Sequence, residues 1–260
     1  VRHEVIVVDA GSTDGTLEIL RGYGSQIPLL SQENSGVAAA RNAGVRVAGS
    51  PYLAFLDADD LWSRNKLERQ LAVFEDAPGL VLVHCGITLI DSADQPIDGT
   101  ILLGLEGEVH RELFLQEPVI YGGGSGAVFA RWAFDRVGGF DERFGTSADW
   151  HLWLRITALG RVGLVADPLL GYRIHDSNMH ANVEAEARDM FRGLREAVAG
   201  DPMVAGLGNR ALAKCHRTIA GGYWNQRSVY RSLRHAVAAL VREPSSVGWF
   251  LRRWGRRLDR

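Results

Sequence analysis

Cysteine is scarce. The chain has two in 260 residues, Cys85 and Cys215. They lie far apart, in neither a CxxC nor a Cys/His cluster, which excludes a disulfide framework and a cysteine-based zinc site and reads as a reduced, cytoplasmic protein. Long apolar runs are lacking too: none reaches the roughly 18 to 20 residues that cross a bilayer, and the N-terminus shows no charged region followed by an apolar stretch. Neither sign of charge dominates. With 29 basic and 31 acidic side chains, no global field draws the protein to nucleic acid or an acidic polymer, and no nucleic-acid partner is expected. A GxxxxGK(S/T) loop is missing, and no GxGxxG follows a strand, which sets aside a P-loop hydrolase and a dinucleotide-dependent oxidoreductase. There is no internal repeat and no low-complexity tract.

What is present is a globular composition, 46% apolar and 23% charged, enough for one large domain or a domain with a helical appendage. Glu4 to Asp9 (EVIVVD) reads as a buried strand, with a helix to follow through about Tyr23, capped by Ser12, Thr13 or Asp14. A strand near Leu29 to Gln32, a small-residue helix from Val37 to Val47 and an apolar strand from Pro51 to Asp57 come next. This alternation predicts a parallel sheet with helices on its faces. A helix over Lys66 to Asp76 and a strand over Leu80 to Ile90 continue the pattern, which loosens from Gln95 to Gly126. Ala148 to Leu159 returns to helical spacing. Beyond Ala181 the chain is helical in character, with breaks near Pro202 and Pro244, so a boundary is placed near residue 180.

The sharpest local feature is Phe55-Leu56-Asp57-Ala58-Asp59-Asp60. In extended chain alternate side chains share a face, so Asp57 and Asp59 point together and Asp60 turns away. Converging carboxylates at a strand end call for a cation, and oxygen ligands of this kind suit Mg²⁺ or Mn²⁺. A solvated acidic turn that caps the next helix is the plainer reading. Ligands of doubly wound sheets sit beyond the carboxyl ends of the strands, and two strands here end in acid, at Asp9 and Asp57.

EVIVVDAGSTDGT, QENSGVAAARNAGV and YLAFLDADD followed by Trp62 and Lys66 resemble, in that order and spacing, the nucleotide-sugar half of family 2 glycosyltransferases. The likeness continues through Gly138-Gly139-Phe140-Asp141, Ala148-Asp149-Trp150 and Tyr172-Arg173-Ile174-His175, covering about residues 4 to 178. It implies a GT-A fold over residues 1–180, a Rossmann-like mixed sheet with helices on both faces, followed by a helical region over 181–260. It implies a metal-dependent inverting transfer from a UDP- or GDP-sugar to a glycan or lipid-linked acceptor, in cell-surface polysaccharide or glycolipid assembly. Asp9 would bind the nucleobase, Arg41 the base or diphosphate side, Asp57 the ribose and metal, and Asp59 the divalent ion as principal ligand. His175 would face the metal or diphosphate with Arg173 nearby. Asp149 would be the base that takes the acceptor's proton, with Trp150 and Trp153 on the acceptor side. The plainer readings are a helix N-terminal acid for Asp149, core aromatics for the tryptophans and a structural ring for His175.

Two departures from the family pattern bear on these expectations. Members usually begin with a further strand and helix ahead of the strand that is Glu4 to Asp9 here, and the chain opens with Val1, so an N-terminally truncated protein is expected. Ala10 and Ala148 stand where a second acid or amide is common. The non-enzyme alternative is a catalytically inactive relative that keeps the fold as a binding or scaffold module. At the other end, Val247 to Arg260 interleaves Trp249, Phe250, Leu251 and Trp254 with Arg252, Arg253, Arg256 and Arg257. Such a stripe suits either peripheral contact with the inner face of a membrane or a terminal helix packed on its own domain.

Overall fold

The computed structural model describes residues 2–175 and 182–250. Two compact units emerge, Val1–His110 with Pro118–Asn178 and Arg111–Glu117 with Met179–Arg260. The first unit opens with β1 (Val7–Asp9), α1 (Thr16–Gly22), β2 (Leu29–Ser31), α2 (Val37–Val47) and β3 (Tyr52–Ala54). It continues through β4 (Leu61–Trp62), α3 (Lys66–Asp76), β5 (Leu82–Ile90) and β6 (Pro96–Leu102). The short α4 (His110–Phe114) belongs from Arg111 onward to the second unit. β7 (Ala127–Ala130), α5 (Arg131–Arg136), α6 (Ala148–Thr157) and β8 (Val162–Arg173) complete the first.

Among the described residues β1 and β2 form a two-stranded parallel sheet, while the larger sheet runs β3-β7-β5-β8-β4 with β6 paired to β5. β5 and β8 are parallel, and β3 pairs antiparallel with β7 through Tyr52 opposite Ala130. The expected parallel order of the first three strands is therefore corrected: it holds for β1 and β2, but β3 belongs to the other sheet. β5 reads as a continuous apolar run because it is the middle of the sheet, covered on both faces, with Leu82, Val83, Cys85 and Ile87 buried. α3 lays Lys66, Gln70 and Phe74 against it at four-residue spacing. The buried Gln70 amide donates to the carbonyls of Val83 (2.7 Å) and Gly126 (3.0 Å), tying helix and strand to the turn before β7. α2 buries Ala38, Ala39 and Ala43, side chains small enough for the helix to lie close on its neighbours, and Arg41 is buried with them.

The second unit is helical: α7 (Val183–Gly200), α8 (Gly208–Asn225) and α9 (Val229–Arg242). Asn182 caps α7 by accepting the Ala185 N–H. α8 and α9 meet through small residues, with Ala220, Ala236, Ala239 and Phe250 in one cluster and Leu240 and Trp249 packed on it. The first two aromatics of the cationic C-terminal stretch, Trp249 and Phe250, thus pack on their own unit. Residues 251–260, which carry the rest of that stretch, lie outside the described residues.

Candidate active site

The end of β3 leads through Phe55 to Asp57. Phe55 joins an aromatic floor with Phe129, Phe134 and Phe140, at centroid distances of 5.8, 5.9 and 5.3 Å. Arg41 lies over that floor, its guanidinium carbon 5.2 Å from the Phe140 ring and 5.9 Å from Phe55. One guanidinium nitrogen donates to both oxygens of Asp57 (2.7 and 3.0 Å), and the other to Asp149 Oδ1 in the first turn of α6 (2.7 Å). Arg41 is 9% exposed, so three elements converge on one buried cation. Burial works against its charge, and Asp149 and Asp57 outweigh it, leaving its pKa raised. For Asp149 burial is the larger influence: its carboxyl sits above the ordinary aspartate range, although Arg41 pulls the other way.

The turn ahead of β7 closes round this bridge. The Asp57 N–H donates to Ser125 Oγ (3.0 Å), and the Trp62 indole N–H donates to the Ser125 carbonyl (2.9 Å). Lys66, fully buried, places its ammonium 4.1 Å from the Trp62 ring centroid, and burial pushes its pKa down to about 8. A Cβ on Gly124 would stand 2.8 Å from the Arg41 guanidinium carbon, so backbone without a side chain is needed for the two to touch. On the neighbouring face Asn42 exchanges hydrogen bonds with the Phe140 backbone, donating to its carbonyl (2.9 Å) and accepting its N–H (3.0 Å). That contact accounts for the Gly-Gly-Phe-Asp sequence: it anchors the loop that supplies one ring of the floor.

Asp59 faces His175, Oδ2 to Nε2 at 2.9 Å, both side chains partly open to solvent. Separations near 2.9 Å are those of adjacent corners of an octahedron with bonds of about 2.1 Å, and carboxylate with imidazole is a donor set a divalent ion accepts. These two residues therefore fit such an ion. Asp57, also expected as a metal ligand, directs both oxygens at Arg41. Asp60 is buried with its pKa raised, chiefly by burial, and accepts the Arg173 backbone N–H (3.0 Å). Arg173 itself donates to the carbonyls of Asp59 (2.7 Å) and Asp91 and to the carboxylate of Asp94. It clamps the acidic turn to the β5–β6 connection by these bonds.

Asp9 ends β1, accepting the Ser12 N–H (3.2 Å) and the Ser31 hydroxyl (3.3 Å), and Ser12 leads the influences that hold its pKa below the usual range. Arg41, Asp57 and Asp149 are thus in direct contact, as are Asp59 and His175, and Asp9 stands at the end of the smaller sheet. Trp153 is 7% exposed and sits in the core, which corrects the expectation of a ring presented to an acceptor: it follows Asp149 by one helical turn, and there α6 is covered. Trp150 on the next turn position is half-buried. From the sequence, Gly122 to Ser125 reads equally as a pocket wall near the acceptor, its glycines allowing a close backbone approach, or as a flexible turn; the structure sets Gly124 and Ser125 against Arg41, Asp57 and Trp62 instead. Asn42 and the Asp91–Asp94 anchor carry no signal in the sequence.

A mixed sheet flanked by helices, with acids gathered at a strand end, defines the GT-A class of glycosyltransferases. The chain belongs to glycosyl transferase family 2, whose profile matches residues 2–138. An uncharacterized glycosyltransferase of Rickettsia prowazekii is 26% identical over 92% of this chain and 84% of its own length. The putative teichuronic acid biosynthesis glycosyltransferase TuaG of Bacillus subtilis is 49% identical over 36% of this chain and 39% of its own length. Among solved structures, the mannosyltransferase PcManGT from Pyrobaculum calidifontis, in complex with GDP-Man and Mn²⁺, superposes with a TM-score of 0.60 at 24% identity. The match covers 94% of this chain and 66% of that one, so the chain spans just under two thirds of it.

Proposed function

We propose that this glycosyltransferase is metal-dependent and inverting. It moves a sugar from a UDP- or GDP-sugar to a hydroxyl of a glycan or lipid-linked acceptor, in cell-surface polysaccharide, lipopolysaccharide or glycolipid assembly. It works in the cytoplasm, peripherally at the inner face of the cell membrane. The observation that carries the reading is the Arg41 bridge, which sets the carboxylate of Asp149 opposite the acidic turn at 2.7 Å from a fixed cation. The names of its relatives support the substrate class: the mannosyltransferase structure holds GDP-Man and Mn²⁺, and TuaG is named for teichuronic acid synthesis.

In this reading Asp9 accepts hydrogen bonds from the nucleobase, and Asp59 with His175 holds Mg²⁺ or Mn²⁺, Asp57 and Arg173 supporting that turn. The ion, when bound, offsets negative charge on the diphosphate. Asp149 accepts the proton of the acceptor hydroxyl as that oxygen bonds to the anomeric carbon and the bond to the diphosphate oxygen breaks, the electron pair leaving with the nucleoside diphosphate. Arg41 fixes one Asp149 oxygen and so orients the carboxylate. Trp150 flanks the acceptor side. The test is nucleoside diphosphate release from a panel of UDP- and GDP-sugars with Mn²⁺. Asp149→Asn should lower turnover by about 10² or more, the scale of general-base catalysis, with nucleotide affinity kept. Turnover unchanged in that variant would remove Asp149 from the reaction.

A further inference from the structure

α9 is amphipathic in a way that its own unit does not use. Its inner face, Ser232, Ala236 and Ala239, is buried, and the Ser232 hydroxyl donates to the Ala220 carbonyl of α8 (2.8 Å). Its outer face carries Tyr230 (79% exposed), Leu233 (46%), Val237 (59%) and Val241 (76%). Steps of three and four residues put these side chains in one stripe, about 17 Å long at 1.5 Å per residue. An outward apolar row of this kind marks a binding surface more often than a solvated helix face.

The charge beside the row says what it fits. Arg227, Arg231, Arg234 and Arg242 are exposed, and between Arg227 and Arg242 the sequence has no acidic residue; Arg231 meets Glu184 of α7 at 3.4 Å, which leaves Arg227, Arg234 and Arg242 as the cations without an ion-paired acid among the described residues. Arg234 stands four residues after Tyr230 and three before Val237, at the margin of the stripe. Glu243, the next acid, is turned to Arg217. From Arg227 to Arg260 the sequence has nine arginines and two acids, whereas the whole chain has net charge −2, so the rest of the chain is acidic and the charge is segregated toward this end. A second copy of the chain fits poorly, because a two-fold contact through the stripe would set arginine rows together, and the acid beside them, Glu184, already faces Arg231. An anionic lipid surface fits both features: acyl chains take the apolar row and headgroups the arginines.

We propose that the exposed stripe of α9, rather than Trp249 and Phe250, is the surface by which the protein docks on an anionic bilayer. This rests on the peripheral-membrane part of the reading above and not on its donor-site part. The experiment is flotation of the full chain with vesicles of equal parts phosphatidylcholine and phosphatidylglycerol, and with phosphatidylcholine alone. The wild type should float with the anionic vesicles only, and less as salt rises. Val237→Glu with Val241→Glu, both exposed positions, should cut flotation at least tenfold with the melting curve and Mn²⁺-dependent nucleotide binding unchanged. Nucleotide binding read on the same samples separates failure of docking from failure of the donor site. A wild type that does not float, flotation unchanged in the double variant, or a wild-type dimer in sedimentation that the variant dissociates would each overturn the proposal, the last making the stripe a protein contact.

Discussion

Arg41 is the residue on which α2, the turn after β3 and α6 meet, and it decides how Asp149 behaves. Burial raises the Asp149 pKa and the guanidinium lowers it. Because a general base works only when deprotonated, transfer should fail as pH drops through that pKa, at a pH above the ordinary aspartate range. Arg41→Gln takes away the opposing charge and leaves a longer stretch of carboxylate surroundings. The acid limb of nucleoside diphosphate release should therefore move to higher pH in that variant. A limb that stays in place, or moves down, would contradict the assignment. Loss of the cation also leaves two partly buried carboxylates without their partner, so the profile is read on protein shown to be folded.

At the scale of elements, the turn before β7 is the least forgiving part of the site. Gly124→Ala would bring a methyl group to 2.8 Å from the Arg41 guanidinium, and either turn or cation must shift. A loss of about 1–3 kcal/mol in chemical denaturation and weaker turnover are expected; a variant as active and stable as the wild type would show that the contact is loose. Much of this was legible in the sequence and some was not. α2 and α3 begin and end where composition and periodicity put them, because small residues and a four-residue apolar step leave little choice. Pairing of β3 was not legible, since three residues of strand carry no mark of which neighbour they will bond, and the partner, β7, lies beyond Gly126. The acids at Asp57 and Asp59 announced the site, yet their separate fates, one held by Arg41 and the other facing His175, depend on residues far away in the chain. Arg173, which the family likeness puts beside His175 near the metal, is a further case: its guanidinium donates to the carbonyls of Asp59 and Asp91, partners set far apart in the chain.

The molecule as a whole should lose stability on mild acidification. His151, stacked on Phe144 at 3.8 Å, has its pKa pushed down to about 4, mainly by burial, and so has His216, whose Nδ1 lies 2.9 Å from that of His235. Unfolded histidine titrates near 6.5. Between about 6.5 and 4 the unfolded chain takes up protons that the folded chain refuses, so stability is full above that window and falls as pH drops through it. Urea midpoints should decline from about pH 7 to pH 5, in each unit if the two unfold separately; flat midpoints would mean that these rings protonate freely in the fold. The central claim, a nucleotide-sugar site organised by Asp59, is met most directly by calorimetric titration of UDP and GDP into the protein, with and without Mn²⁺, for wild type and Asp59→Ala. The account predicts Mn²⁺-dependent binding of one nucleotide that Asp59→Ala abolishes. Folded wild type that binds neither nucleotide, or binds equally well without the metal or without Asp59, would contradict it.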